Sequence, residues 1–439
     1  MPRPIRSEHA RNCPTQRATA TRPLRSLLGL GSLLGLGLVL AGPSAHAADE
    51  GISALWKDAD TRAQARYRFE HVDQQGFDRN ALASTVRLRI GLRTGTYKGL
   101  TFLVEGEGTA ILGSNNFNST QNGFTNFPVV ADPEHVELNR AQVQAKLHDR
   151  VRLTVGRQKI AYGNERFVGN VDFRQDDQTF DAVRVDAEPH DRMKVSIAGG
   201  NRVNRIFGNE NVAVPPPATG TFTGGFVLSN LTGEITDTVD GEIYGHWLNF
   251  EESPTESTRT IGIRLNGDHD VGSGIVLGWT GEYAYQTDAA DNPLNIDLFY
   301  ALAEGRVKTL VGTLNGGVEV LDGNGTVGFS TPLSTLHKFN GTADVFLVTP
   351  AVGLRDAFIG WTSELPGAGP VRQMKANVTW HDFSSDNGSD DLGQEIDAEL
   401  VAIINKNVGT GLKFAKYGGG DAIAPPNTTR FWFTLDLKY

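Results

Sequence analysis

Cysteine is almost missing from this chain of 439 residues: Cys13 stands alone, inside a segment expected to be removed. The exported product then has neither thiol nor disulfide, which excludes cysteine-ligated metal sites and cysteine nucleophiles. Lack of disulfides leaves the compartment open, because an oxidising environment permits them without requiring them. Long apolar runs are scarce as well. Beyond residue 47 nothing approaches the ~20 apolar residues of a spanning helix, and hydrophobic content is 39%. A basic surplus is also missing. The chain has a formal charge of −10, and removing the first 47 residues, with six arginines and one glutamate, takes the rest to about −15. A nucleic-acid binder normally carries a basic footprint, so nucleic acid is not an expected partner.

Catalytic patterns are thin. Eight histidines remain after the first 47 residues, scattered singly, with no His-x-x-x-His pair for two ligands on one helical face. No Gly-x-Ser-x-Gly elbow occurs. Gly323-Asn324-Gly325-Thr326-Val327-Gly328 matches a dinucleotide fingerprint in letters. Phe329-Ser330-Thr331-Pro332 follows, a poor helix start, so the phosphate-binding mechanism fails and an outer loop is the better reading. Asp386, Asp390 and Asp391 with Asn387 offer oxygens for calcium, but off the EF-hand spacing; a solvated acidic loop is preferred. Neither enzyme activity nor a cofactor or metal is expected. A barrel-wall Ser/His pair would be invisible in sequence.

What is present is alternation. The chain ends with Phe431, Phe433, Leu435, Leu437 and Tyr439 interleaved with Arg430, Trp432, Thr434, Asp436 and Lys438. Val86, Leu88, Ile90 and Leu92 alternate with Arg87, Arg89, Gly91 and Arg93; Ala63, Ala65, Tyr67 and Phe69 alternate with Arg62, Gln64, Arg66, Arg68 and Glu70. Successive strand side chains point to opposite faces, so the arginines share one. A greasy face toward lipid and a polar face toward water describe a barrel wall.

Residues 1–47 read as a signal peptide. Arg3 to Arg25 supply a basic start, Leu27 to Ala41 an apolar stretch too short to span, and Ala45-His46-Ala47 a small-x-small cut. Residues 48–439 then form one domain of 392 residues. Seventeen alternating segments follow, near 62–70, 83–94, 100–111, 135–147, 151–160, 178–188, 191–200, 240–250, 258–268, 273–286, 296–306, 311–321, 354–363, 370–382, 393–404, 409–417 and 429–439. Bacterial barrels have even strand numbers, short periplasmic turns and long outer loops. The short-long rhythm falls out of phase across 201–239, and one more strand within about 220–230 restores it. The expected fold is all-β: a single transmembrane antiparallel up-and-down barrel of 18 strands with long extracellular loops, wide enough for an aqueous channel.

Residues 156–184 are too polar for lipid and must lie above the membrane or fold into the lumen. Gly156, Gly163 and Gly169 are its pivots. Its arginines suit carboxylates. Two readings stand together: a constriction contacting an anionic or hydroxyl-rich solute, or a brace in which Arg157, Arg166, Arg174 and Arg184 pair with Glu165, Asp176, Asp177 and Asp181. Alternation places further cations on polar faces, among them Arg66, Arg68, Arg87 and Arg89, with Glu105, Glu107 and Glu282 among the acids. Arg157 is in phase with Val151, Leu153 and Val155, and would need a bulge to face inward.

Gly156-Arg157-Gln158 followed by Arg174-Gln175, Gln178 and Phe180-Asp181-Ala182-Val183-Arg184 resembles the alginate-export family of outer-membrane barrels. Thr331-Pro332-Leu333 with His337, Gly341-Thr342-Ala343-Asp344, Gly353-Leu354-Arg355-Asp356 and Leu392-Gly393-Gln394-Glu395-Ile396-Asp397 agree. The resemblance implies an 18-stranded monomer that passes a polyanionic polysaccharide outward through a positively lined pore. Arg157, Gln158, Arg166, Arg174, Gln175, Gln178, Asp181 and Arg184 are the matching positions. The expected function is a passive outer-membrane channel for anionic oligo- or polysaccharide such as alginate-like polyuronate. A porin for small anions or nutrients is the alternative, and a barrel enzyme a third. Expected partners are the anionic solute and outer-membrane lipid.

Overall fold

A computed structural model describes residues 50–208 and 220–439. Residues 1–47, expected to be a signal peptide, lie outside the described residues. These described residues cluster as one compact unit.

The strands run in chain order: β1 (Asp60–Gln74), β2 (Ala81–Arg93), β3 (Leu100–Asn116), β4 (His135–His148), β5 (Val151–Gln158), β6 (Thr179–His190), β7 (Met193–Asn204), β8 (Thr221–Thr236) and β9 (Val239–Phe250). There follow β10 (Thr258–Gly272), β11 (Ile275–Asp288), β12 (Asp297–Thr309), β13 (Gly312–Leu321), β14 (Leu354–Pro366), β15 (Gln373–Ser384), β16 (Asp391–Asn405), β17 (Val408–Gly418) and β18 (Thr428–Lys438). Every pairing is antiparallel between chain neighbours, and β1 closes the ring on β18. Tyr67 stands opposite Leu435 and Phe69 opposite Phe433 across that seam. All 17 predicted segments fall on strands, and β8 supplies the eighteenth where parity demanded it.

The wall is inverted relative to a water-soluble protein. Ile243, Ile261, Ile263, Tyr283, Ile359, Val378 and Leu412 are exposed, whereas Arg68, Glu70, Arg87, Glu105, Glu107 and Glu395 are buried. Ile261 and Ile263 alternate with inward Thr260 and Arg264, as period-two side chains must. No described helix is long and apolar enough to cross a membrane, and closing the sheet satisfies every ladder without an edge. Eight turns, the start of β1 and the end of β18 occupy one end, the periplasmic one; the other end holds the long connections, such as 117–134, 159–178 and 322–353. At the short-turn end a helix, α1 (Glu50–Lys57), caps the β2–β3 turn, with Gly95 N donating to Leu55 O at 2.9 Å.

Candidate pore and the loops that cross it

Two loops from the long-loop end turn into the lumen and meet there. Loop 159–178 connects β5 to β6; loop 322–353 connects β13 to β14 and contains a 3-10 turn, Leu336–Lys338. Backbone joins them directly: Gly169 N donates to Leu333 O at 2.8 Å and Thr335 N to Glu165 O at 3.1 Å. Gln178 Nε2 donates to both Gly169 O (2.8 Å) and Leu333 O (2.9 Å). Glu165 accepts from Thr335 Oγ1 and Lys338 Nζ, each at 2.5 Å. A Cβ on Gly169 would overlap Thr335 Oγ1, so glycine is what lets the loops touch. Gly163, at φ +52°, passes against the Glu242 carboxylate of β9, where a Cβ would fall 2.6 Å from Oε2. His337 and the Gly341-Thr342-Ala343-Asp344 motif meet the Glu395 and Asp397 motif of β16 at this bridge. Thr342 N donates to Asp397 (3.0 Å), Ala343 N to Glu395 (2.6 Å), and His337 lies 2.7 Å from Asp344. The glycine-rich 323–328 stretch forms a small bridge between Gly323 and Gly328, with no helix behind it.

Much of the arginine set is consumed by bracing. Arg174 binds Glu70 and Asp344 at 3.0 Å each and approaches Asp132 at 3.9 Å. Arg68 stacks 3.8 Å from the Phe173 ring centroid, donates to Phe173 O, and lies near Glu70 and Asp132. Arg166 crosses the lumen to Glu319 (3.0 Å) and Asn340 (3.0 Å). Gln175 holds Thr85 and, through its N–H, Asp132. Arg89 gathers Glu105, Glu107 and Asp177. Arg184 binds Asp186 and Lys159 O, and Gln158 the Gly156 and Ala182 carbonyls. Burial works to raise the pKa of Asp344, but His337, Arg430 and Arg174 outweigh it and hold the carboxyl below its ordinary range. Asp177 is held low in the same way, its burial offset by Lys159, Arg89 and Arg87.

Arg157 and Asp181 take a different place. Register from β4 through β5 to β6 is continuous at Ala141, Arg157 and Asp181, so no bulge turns Arg157 inward. It pairs with Asp181 at 2.8 Å beside Leu138, Val155 and Val183, all exposed. Both therefore face outward near the long-loop end, not the lumen. Gly156, at φ +114°, lies where a Cβ would overlap Ala141 O.

Below the bridge, at the short-turn end, the lumen keeps a recess of about 550 Å³. Arg62, Arg66, Arg87, Arg89, Arg140 and Lys159 line it against Asp60, Glu105 and Asp172. Arg66 and Arg87 stand directly opposite each other in the β1–β2 ladder, where like charges are unfavourable. Arg66 is relieved by Asp436 at 2.9 Å. Arg87 has a single long bond to Gln175 O (3.4 Å), its Nε has no partner, and no ion pair of it occurs among the described residues. Sequence phase indicated Arg66, Arg87 and Arg89; it missed Arg140 and Lys159, which a bulge in β4 and a loop bring to the same place.

A sequence profile of the alginate export family matches residues 55–198. No curated protein matches the chain. Among solved structures, OccAB2 of Acinetobacter baumannii aligns with TM-score 0.69 at 14% identity, covering 88% of this chain and 99% of that one. OpdK of Pseudomonas aeruginosa, solved with vanillate, gives 0.68 at 13%, with 87% and 99% covered. OpdL of the same organism gives 0.65 at 15%, with 87% and 99% covered. At such identities the likeness establishes the fold. The chain is an 18-stranded outer-membrane β-barrel of porin architecture, and its residues 55–198 match the alginate export family.

Proposed function

We propose that the barrel is a passive channel for anionic, carboxylate-bearing solutes of small to oligomeric size, with no covalent step. The observation that carries this is Arg87, a guanidinium with no ion pair among the described residues, set opposite Arg66 on a recess rich in cations. A guanidinium fork suits a carboxylate, and cationic rings favour anions in pores. OpdK, solved with vanillate, is a barrel of this fold captured with a small carboxylate. The bridge supports a size limit, because it is stitched across the lumen by buried side chains such as Gln178 and Arg174. The second reading, passage of a polyuronate chain, is favoured by the match over residues 55–198 and requires the bridge to part. Planar-bilayer recording separates these readings. The reversal potential under a potassium chloride gradient should report anion preference, and a uronate monomer or dimer should reduce chloride current. Block by polyuronate with none by small uronates would favour the polymer; cation preference would refute both.

A further inference from the structure

We infer that the foot of the inward loop carries a divalent-cation site built by Glu107 of β3, His135 and Glu137 of β4, and Asp176 of loop 159–178. One ligand atom from each lies within 4.8 Å of all the others. His135 and Glu137 are two apart on a strand and so share its inner face. Glu107 comes from the neighbouring strand, directly opposite Glu137.

Three of the four groups, Asp176, Glu107 and His135, keep an atom without a hydrogen-bond partner. Asp176 is fully buried, and neither of its carboxylate oxygens has a hydrogen-bond partner. Glu107 is divided: Oε2 takes Arg89 (2.7 Å from Nε) and Asn139 (3.2 Å), while Oε1 has no partner. His135 completes the set. Its Nδ1 lies 3.1 Å from the Pro133 carbonyl. A carbonyl can only accept, so Nδ1 carries a proton, and in the neutral ring Nε2 keeps its lone pair. That lone pair points at Asp176 Oδ2, 3.5 Å away. Lone pair against carboxylate, with two more carboxyls alongside, is repulsive in a buried setting unless something positive lies between.

A divalent cation resolves each of these features at once. It supplies the missing partner for Asp176, Glu107 and His135. It also uses the histidine tautomer that the Pro133 carbonyl selects, the usual way an outer partner orients a ligating imidazole. One imidazole with three carboxylates suits zinc or manganese better than magnesium, which prefers oxygen and water. The consequence is mechanical. Two wall strands and the loop that narrows the lumen would be tied at one point, next to Asp177, which already anchors Lys159 and Arg89.

The test uses the folded barrel in detergent, stripped with EDTA and then dialysed against zinc chloride or manganese chloride, with bound metal counted by plasma mass spectrometry. One equivalent per chain is expected in the native protein and in His269→Ala, a histidine near the β10–β11 turn. Asp176→Asn and His135→Ala are each expected to lose it, with folding verified by heat-modifiable gel mobility. If a variant fails to fold, the native protein still decides: one of these ions should raise its melting temperature, and EDTA should reverse the rise. Sub-stoichiometric metal in the native protein, or equal metal in the native protein and a folded Asp176→Asn, would overturn the site; so would a melting temperature indifferent to both ions.

Discussion

Arg174→Met tests whether the bridge is held by buried charge. Arg174 is 6% exposed and donates two charge-assisted bonds at 3.0 Å, to Glu70 and Asp344, with Asp132 at 3.9 Å. Hydrogen bonds to charged groups contribute about 1.5–3 kcal/mol each, and removing one partner of a buried pair costs roughly 3–5 kcal/mol. Partners remain for each acid: Arg430 lies 3.0 Å from Glu70 and His337 2.7 Å from Asp344, while Gln175 N donates to Asp132 at 2.9 Å. The low end, about 3 kcal/mol, is therefore expected at neutral pH. The pH dependence has a definite sign. Asp344 is held below its ordinary range, so its stabilisation is full above the unfolded value of about 4 and fades as pH falls through the folded one. Without Arg174 that depression shrinks, so the deficit of the variant should narrow between pH 7 and about pH 3. Guanidinium unfolding followed by tryptophan fluorescence reads it, because buried Trp432 lies 6.0 Å from the Phe173 ring. A deficit below about 1 kcal/mol at pH 7, or one unchanged by pH, would refute the brace.

Three further outcomes are expected. Arg87→Glu should move the reversal potential toward cation preference: a unit charge at ~4 Å in water is worth about 1 kcal/mol, roughly fivefold, and this change reverses the charge's sign. A reversal potential unchanged within error would remove Arg87 from the permeation path. Gln178→Ala, which deletes donors to Gly169 O and Leu333 O, should cost about 1–3 kcal/mol and raise open-channel noise; quiet, native-like traces would count against the bridge as the constriction. Ile263→Arg, on the lipid-facing side of β10 and 45% exposed, should cost about 2–4 kcal/mol if the position lies near the bilayer midplane, measured by refolding into vesicles. No cost there would contradict the wall's orientation.

Strand number, register phase and the lipid-facing side were legible because they are local. Period two is written in Val86 to Arg93 and in Phe431 to Tyr439, and each appears unchanged as a wall strand. The weak strand β8 was recoverable by parity, although Thr221-Phe222-Thr223-Gly224-Gly225 alternates poorly. Arg157 shows the limit. Its motif suggested the pore, its phase with Val155 said otherwise, and the continuous register upheld the phase. Arg166, Arg174 and Gln178 were visible as a polar run, yet no local rule could say that their partners would be Glu319, Asp344 and Leu333 from distant strands and loops. The cation ligands that the sequence offered, Asp386, Asp390 and Asp391, are neighbours in the chain. The set that converges, Glu107, His135, Glu137 and Asp176, spans three elements.

By itself, then, the order of amino acids determined a closed wall with grease outward and guanidinium inward, because strand periodicity and lipid solvation act residue by residue. Tertiary structure alone decided which inward charges neutralise one another and which, like Arg87, have no ion pair among the described residues, because pairing depends on what two long loops carry into the lumen once the ring has closed.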